Sequence, residues 1–148
     1  MAALGVAALL LAGCTADTPR NSAGQVTAAA TADVFAVRVG DCLGDVGTGT
    51  VDELKLVPCS EEHSWEAYAS SSIEAERYPG TTEVQAQAED ACDKAFTEFV
   101  GVDVRESRYT FTYLHPTAES WAQDDREVVC LAGKDRGAIT GSLKGTGK

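Results

Sequence analysis

The amino-acid sequence predicts an α+β domain in which one long helix packs on a small antiparallel sheet and two disulfides pin the structure. Three observations support this fold class. Apolar residues recur at helical spacing between residues 82 and 100, short runs of β-branched and aromatic residues occur on both sides of that segment, and four cysteines remain for pairing once Cys14 is set aside. The strand-like runs predict a sheet of roughly four to six strands.

The N-terminal segment has the form of a bacterial lipobox. Leu11-Ala12-Gly13-Cys14 follows an apolar run that is too short to span a bilayer. We expect residues 1–13 to be a lipoprotein signal peptide and Cys14 to carry a diacylglycerol, which anchors the protein to the extracytoplasmic face of the cell membrane. Because the first basic residue, Arg20, follows the lipobox, we expect the true translation start to lie further upstream.

Residues 14–33 are rich in Ala, Thr and Ser and contain almost no large apolar side chain. Such a segment cannot bury enough apolar surface to order itself, so it predicts a flexible tether after the lipidated cysteine. The folded domain is then expected to cover residues 34–148.

Strands are predicted where β-branched and aromatic residues cluster between turn signals, at residues 34–39, 54–57, 65–73, 108–114 and 127–132. Gly40-Asp41 ends the first run, Pro58 the second and Pro116 the fourth. Tyr78-Pro79-Gly80 predicts the turn that leads into the helix.

The helix is predicted over residues 82–100, with Thr81 or Thr82 as its cap and Gly101 as its end. Its buried stripe is expected to consist of apolar or small residues at helical spacing: Val84, Ala88, Ala91, Cys92, Ala95, Phe96 and Phe99.

An aromatic stripe alternates along the fourth strand at Tyr109, Phe111 and Tyr113. It is either the inner face of the sheet beneath the helix or an exposed platform for glycans or peptides. The core interpretation is favoured, because a domain of this size has few other bulky residues to fill its interior. Trp121 lies among polar residues and is expected to be more exposed.

Cys42, Cys59, Cys92 and Cys130 form an even set in an exported domain, which is typical of two disulfides. Three pairings are possible and the sequence does not choose between them. We favour Cys42–Cys59 with Cys92–Cys130, because each pair then joins segments expected to be neighbours. The absence of a Cys-x-x-Cys pair argues against zinc, and no metal or other cofactor is expected.

Charge and motifs narrow the function classes. The 148-residue chain has 23 acidic and 12 basic residues, a net charge of −11, and no basic cluster, which argues against nucleic-acid binding. No phosphate-binding, dinucleotide-binding or HExxH motif occurs. His63, close to Glu61 and Glu62, is the best candidate for catalysis, although a hydrogen-bonded loop histidine is the commoner use of such a residue.

With these elements in place, several short motifs occur in a familiar order: Val39-Gly40-Asp41-Cys42-Leu43, Val57-Pro58-Cys59 with His63 beyond it, Tyr78-Pro79-Gly80, Cys92, Pro116 with Trp121, Asp125-Arg126, Cys130, and Thr140-Gly141-Ser142-Leu143-Lys144-Gly145. This order resembles the actinobacterial septum formation domain of lipoproteins and single-pass membrane proteins. The resemblance covers residues 39–145, supports the favoured disulfide pairing, and implies a role in forming the division septum. Glu62 stands where the family commonly has proline before the histidine.

These observations predict a non-enzymatic, lipid-anchored binding or scaffold module of the envelope, with an envelope or divisome protein as its partner. His63, Trp121 and Arg126 are the candidate binding residues; we expect Arg126 to pair with Asp41 or Asp125. Two alternatives stay open. One is a cell-wall hydrolase that uses His63 with a nearby carboxylate, and the other is a sensor of small ligands whose pocket is lined by the aromatic stripe.

Overall fold

The structure, a computed structural model, describes residues 17–148, so the predicted signal peptide and Cys14 lie outside the described residues. Six antiparallel strands form one curled sheet in the order β1-β3-β2-β4-β6-β5, with one long helix on one face. The elements are β1 (Ala30–Asp33), a 3-10 turn (Val34–Ala36), β2 (Cys42–Leu43), β3 (Glu53–Val57), β4 (Trp65–Ser72), α1 (Thr81–Val100), β5 (Thr110–Leu114), the one-turn helix α2 (Ala118–Trp121) and β6 (Glu127–Gly133). The predicted α+β fold class is confirmed.

Helix α1 forms because apolar residues return every four positions along one face. Val84, Ala88, Cys92, Phe96 and Val100 on this face are all 0% exposed. Gly101 ends the helix in the left-handed conformation, and its N–H donates to the Thr97 carbonyl, as predicted.

The predicted threonine cap of α1 is wrong. The cap position is Gly80, and no side chain of residues 17–148 bonds to the first-turn amides. Thr81 lies inside the first turn, where its hydroxyl bonds to the hydroxyl of Tyr78. The turn before the helix therefore places the cap one residue earlier than the threonine signal indicated.

The sheet is buried on both faces, because α1 covers one face and the curled β1-β3-β2 end closes over the other. The helix-side core contains Tyr68, Phe96, Val128, Cys130 and the partly buried aromatic stripe of β5. The opposite core contains Leu43, Leu54, Leu56, Val129 and Leu131. Phe111 lies 6.0 Å from Phe96 between ring centroids, so the aromatic stripe is part of the helix-side core, as favoured from the sequence.

Both favoured disulfides are present. Cys42–Cys59 joins β2 to the loop just after β3, with Cα atoms 5.2 Å apart. Cys92–Cys130 joins α1 to β6, with Cα atoms 5.4 Å apart. The second bridge lies inside the helix-side core and ties the helix to the sheet over a separation of 38 residues.

The predicted tether is wrong for most of its length. Residues 30–33 form β1, which pairs with β3, and Arg20 bridges to Val26. The guanidinium of Arg20 donates to both carboxylate oxygens of the buried Asp41, and Val26 and Ala32 are buried. The folded domain therefore begins near Arg20, because one specific ion pair and two small buried side chains hold a segment whose composition alone predicts disorder.

The strand predicted at residues 34–39 is also wrong. Val34–Ala36 forms a 3-10 turn in which the N–H of Phe35 donates to the side chain of Asp33. The neighbouring segment on its N-terminal side forms a strand instead, β1, which pairs with β3. The β-branched residues at 34–39 therefore correctly indicated a strand in this part of the chain, but the strand is formed by the preceding residues of β1.

Tyr68 links the sheet to the helix, and its phenol makes the fold sensitive to alkali. Its hydroxyl donates to the Cys92 carbonyl at 2.6 Å, and burial, with a smaller contribution from the charge of Asp93, raises the pKa of Tyr68 above its usual value. Because the folded-state pKa is the higher one, this stabilisation is complete below about pH 10 and is lost as the pH rises further. Replacing Tyr68 by Phe should lower the free energy of unfolding by about 1 kcal/mol at neutral pH, because one hydrogen bond is lost. Above about pH 10, the urea midpoint of this variant should fall less steeply with pH than that of the wild type. Equal alkaline slopes in the two proteins would contradict this expectation.

Candidate functional site

His63 is enclosed in the loop between β3 and β4. Its backbone N–H and carbonyl bridge to Ile139 at 3.0 and 2.8 Å, and the residue is 3% exposed. Nδ1 lies 2.8 Å from the Glu61 carbonyl, which can only accept, so Nδ1 carries the proton. Nε2 is buried and has no partner among the described residues. No described carboxylate bonds to this imidazole, so the predicted acid–base couple is not assembled in this structure.

Trp121 is 5% exposed, so its predicted exposure is wrong. Its ring is covered by the guanidinium of Arg126, which lies 3.7 Å from the ring centroid, and it also contacts the Tyr78 ring in a T-shaped arrangement with centroids 5.7 Å apart. Arg126, a charged residue nearby in the sequence, therefore shields the Trp121 ring from solvent.

Arg126 makes a structural contact here as well. Its guanidinium donates to the carbonyls of Trp121 at 2.8 Å and Asp125 at 2.7 Å, which restrains the end of α2. It does not pair with the carboxylate of Asp41, which Arg20 holds. The predicted Arg126 ion pair with Asp41 is therefore wrong, and Asp125 is contacted through its backbone carbonyl.

The three predicted binding residues do not form one site. His63 lies just before the first residue of β4, Trp65, which pairs with Gly133. Arg126 lies just before the first residue of β6, Glu127, which pairs with Ser72 at the other end of β4. At strand spacing these ends are roughly 20 Å apart. Trp121 and Arg126 form one cluster, and His63 is separate from it.

Two buried carboxylates, Asp41 and Glu66, hold the first and last segments of the described domain. The sequence predicts a contact for Asp41 only as a partner of Arg126, and it predicts none for Glu66. Asp41 binds the N-terminal segment through Arg20. Glu66, 4% exposed, accepts from the Ser142 hydroxyl at 2.6 Å and the Leu143 amide at 2.7 Å, and so holds the C-terminal segment. One feature of the sequence could have indicated Glu66: it is the one charged residue in the strand predicted at residues 65–73.

A groove of about 690 Å³ lies beside the C-terminal half of β5, a strand at one edge of the described sheet. Thr112, Tyr113 and Leu114 all line it, so the lining includes residues from both faces of β5, because successive strand residues point to opposite faces. Glu127 and Val129 of the neighbouring strand β6 line it as well. Thr81 and Gln85 of α1 line one side. The other side is formed by the 3-10 turn and the loop before β3: Val34, Phe35, Val46, Gly47, Gly49, Thr50, Val51 and Asp52.

The groove is acidic. Asp52, Glu119, Asp125 and Glu127 line it, and no Lys or Arg is among the described residues around it. Asp125 is partly committed, since it accepts from the Ser120 hydroxyl and the Glu127 amide. Partial burial, with a smaller contribution from the charge of Glu89, raises the pKa of Tyr113, so its phenol stays a neutral hydrogen-bonding group near the groove.

Phe35 adds an apolar element, because its side chain is 66% exposed at the rim of the groove. Sequence reasoning missed this site because residues 34–39 were expected to form a strand, which would have placed Phe35 in the sheet. The groove combines an open strand edge, an exposed aromatic ring and negative charge, an arrangement suited to binding.

The family model described as septum formation matches residues 10–140, most of the 148-residue chain. The chain belongs to the septum formation family. This membership links it to septum formation and confirms the resemblance seen in the order of its motifs. A search of the curated proteins finds no relative of this family member, and a search of the solved structures finds no match either.

Within residues 17–148, no helix of this septum formation protein has the length and apolar character needed to cross a membrane. The 20-residue α1 carries charged residues on its outer face and a buried stripe on its inner face, the pattern of a helix packed on a sheet.

Proposed function

We propose that this chain is a non-enzymatic binding or scaffold module, anchored through Cys14 at the extracytoplasmic face of the cell membrane, that engages an envelope or divisome protein during septum formation. The observation that carries the proposal is the acidic groove beside the C-terminal half of the edge strand β5. Membership of the septum formation family supports the link to the septum, and the lipobox supports the anchor.

The hydrolase alternative has less support. A catalytic His63 would need access to substrate and a carboxylate or other group to orient it. The imidazole is almost completely enclosed, and its Nδ1 is committed to a backbone carbonyl. The small-ligand alternative has less support for a related reason, since all three residues of the aromatic stripe pack against the helix-side core and Tyr113 is the one of them that lines the groove.

Localisation in living cells tests the proposal. The protein with a C-terminal fluorophore that folds after export is expected to concentrate at division sites. Cys14→Ala is expected to release it from the membrane, because one thiol carries the anchoring lipid chains. The comparison is made by imaging through the division cycle and by membrane fractionation.

The matched control is Thr15→Ala, which changes the neighbouring residue and leaves the Cys14 thiol in place. Cys59→Ala would not serve as a control for thiol loss, because Cys59 forms a disulfide in the folded domain. A uniform peripheral signal throughout division would contradict the septal part of the proposal. Unchanged membrane association of Cys14→Ala would contradict the anchor.

A further inference from the structure

We propose that the open edge of β5 binds an extended, cationic peptide segment of a protein partner, which adds to the sheet as a seventh strand. The inference rests on the proposed binding function and specifies the chemistry of the partner. Extended peptides commonly dock in this way, with main-chain hydrogen bonds supplying affinity and side-chain contacts supplying specificity.

The backbone of β5 is uncovered on one side. Among the strands that the structure describes, β5 lies at one end of the order and pairs with β6 alone. In an edge strand, alternate backbone N–H and carbonyl groups point away from the sheet. Within the described chain, no loop or side chain hydrogen-bonds to the backbone of Thr110–Leu114 from the open side.

The amino-acid composition of this edge also favours an added strand. Strand β5, with the sequence Thr-Phe-Thr-Tyr-Leu, has no charged residue and no proline, the usual devices that block pairing at an edge. The opposite edge strand, β1, has four residues and ends at the charged Asp33. β5 is therefore the edge that lacks protection against an added strand.

The charge around the groove favours a cationic partner. Asp52 and Glu119 line the groove, and neither carboxylate is hydrogen-bonded to another described residue in the structure. With Asp125 and Glu127 nearby and no basic residue in the described lining, Lys or Arg side chains of an added strand would find complementary charge. The exposed ring of Phe35 can pack on the aliphatic part of such side chains.

The same charge argues against a second copy of this chain as the occupant. Pairing two β5 edges would bring two acidic grooves together in a protein of net charge −11. Like charges placed against each other oppose association. A basic segment from a different protein removes this repulsion and replaces it with attraction.

Binding of model peptides to the full chain, purified in a neutral detergent, tests the proposal. The probe is a fluorescein-labelled decapeptide of alternating Lys and Val, and the matched peptide carries Glu in place of Lys. Fluorescence anisotropy should show binding of the Lys peptide only, weakened by about fivefold or more when the ionic strength rises from about 0.05 to 0.5 M.

A third peptide tests strand addition itself. It has the Lys-Val sequence with N-methyl groups on alternate residues, which removes the N–H donors of one strand edge while keeping the charge. Methylation on the pairing edge should weaken binding by about tenfold, because at least two backbone hydrogen bonds are lost, whereas methylation of the other edge should have a much smaller effect.

Paired variants locate the site. Asp52→Asn combined with Glu119→Gln should weaken binding by roughly two- to fivefold for each carboxylate, and Phe35→Ser should weaken it further. Glu62→Gln, an exposed carboxylate beside His63 and outside the groove, is the matched control and should leave binding unchanged. Thermal unfolding of each variant verifies that the fold is retained.

Equal binding of the Lys and Glu peptides, equal binding of both methylated forms, or no binding of the Lys peptide would overturn the proposal. A concentration-dependent dimer that the Lys peptide cannot dissociate would also overturn it. These outcomes are separate from the localisation test: septal enrichment without peptide binding would leave the proposed function standing and reject only the cationic strand.

Discussion

Replacing Cys92 and Cys130 together by alanine is expected to lower the free energy of unfolding by about 4 kcal/mol. The bridge closes a separation of 38 residues, and its loss restores the conformational freedom of that loop in the unfolded chain. Both cysteines are almost completely buried between α1 and β6, so packing is lost as well. Urea unfolding at pH 7 measures the change.

The matched comparison is the double alanine variant of Cys42 and Cys59. That bridge closes a separation of 17 residues, which predicts a smaller loss of about 3 kcal/mol. A loss below about 1 kcal/mol for the Cys92 and Cys130 variant would show that core contacts alone hold α1 on the sheet. Such a result would contradict the expected contribution of the Cys92–Cys130 disulfide to the free energy of unfolding.

Gly133→Ala is expected to destabilise the domain by about 3 kcal/mol or more, because the added methyl group has no space. An ideal Cβ at this position would lie 2.2 Å from the Ser64 carbonyl oxygen and 2.7 Å from the Trp65 ring. Ser64 cannot easily move, since its N–H donates to the Leu43 carbonyl in the neighbouring strand. Thermal and urea unfolding measure the loss.

Gly44→Ala is the control for this substitution. A Cβ at Gly44 would meet the nearest atom, Cβ of Lys55, at 3.6 Å, which is ordinary van der Waals contact. Its effect on stability is expected to stay within about 0.5 kcal/mol. Similar losses in the two variants would mean that the close approach of β4 to Gly133 does not determine the cost.

Local signals in the sequence predicted the central elements well. The four-residue recurrence of apolar side chains predicted α1 to within one residue at its start and correctly at its end, where Gly101 takes the left-handed conformation. The runs around β3, β4, β5 and β6 were also found. These elements share a strong periodic pattern or a clear turn residue, which are properties of short stretches of chain.

The N-terminal part of the domain was predicted poorly, because distant contacts decide it. β1 consists of Ala, Thr, Ala and Asp, a composition without local preference for a strand. It is held by pairing with β3 and, further back, by the ion pair from Arg20 to Asp41 across 21 residues. No window of sequence containing only one partner can indicate such a contact.

The candidate site shows the same division between local and distant information. His63, Trp121 and Arg126 were selected because their side chains can carry chemistry, yet each packs into the fold. The groove instead depends on which strand lies at the edge of the sheet and on where the 3-10 turn places Phe35. Strand order is a property of the whole chain, so single residues could not reveal it.

By itself the sequence determined the fold class, the long helix and the order of motifs that marks the septum formation family. These follow from periodicity, from turn residues and from cysteine count, all of which act over short distances or as totals. The tertiary structure decided which cysteines pair, where the domain begins, and which strand edge stays open. Each of these depends on segments far apart in sequence meeting in space, where burial, charge and hydrogen bonding act between them.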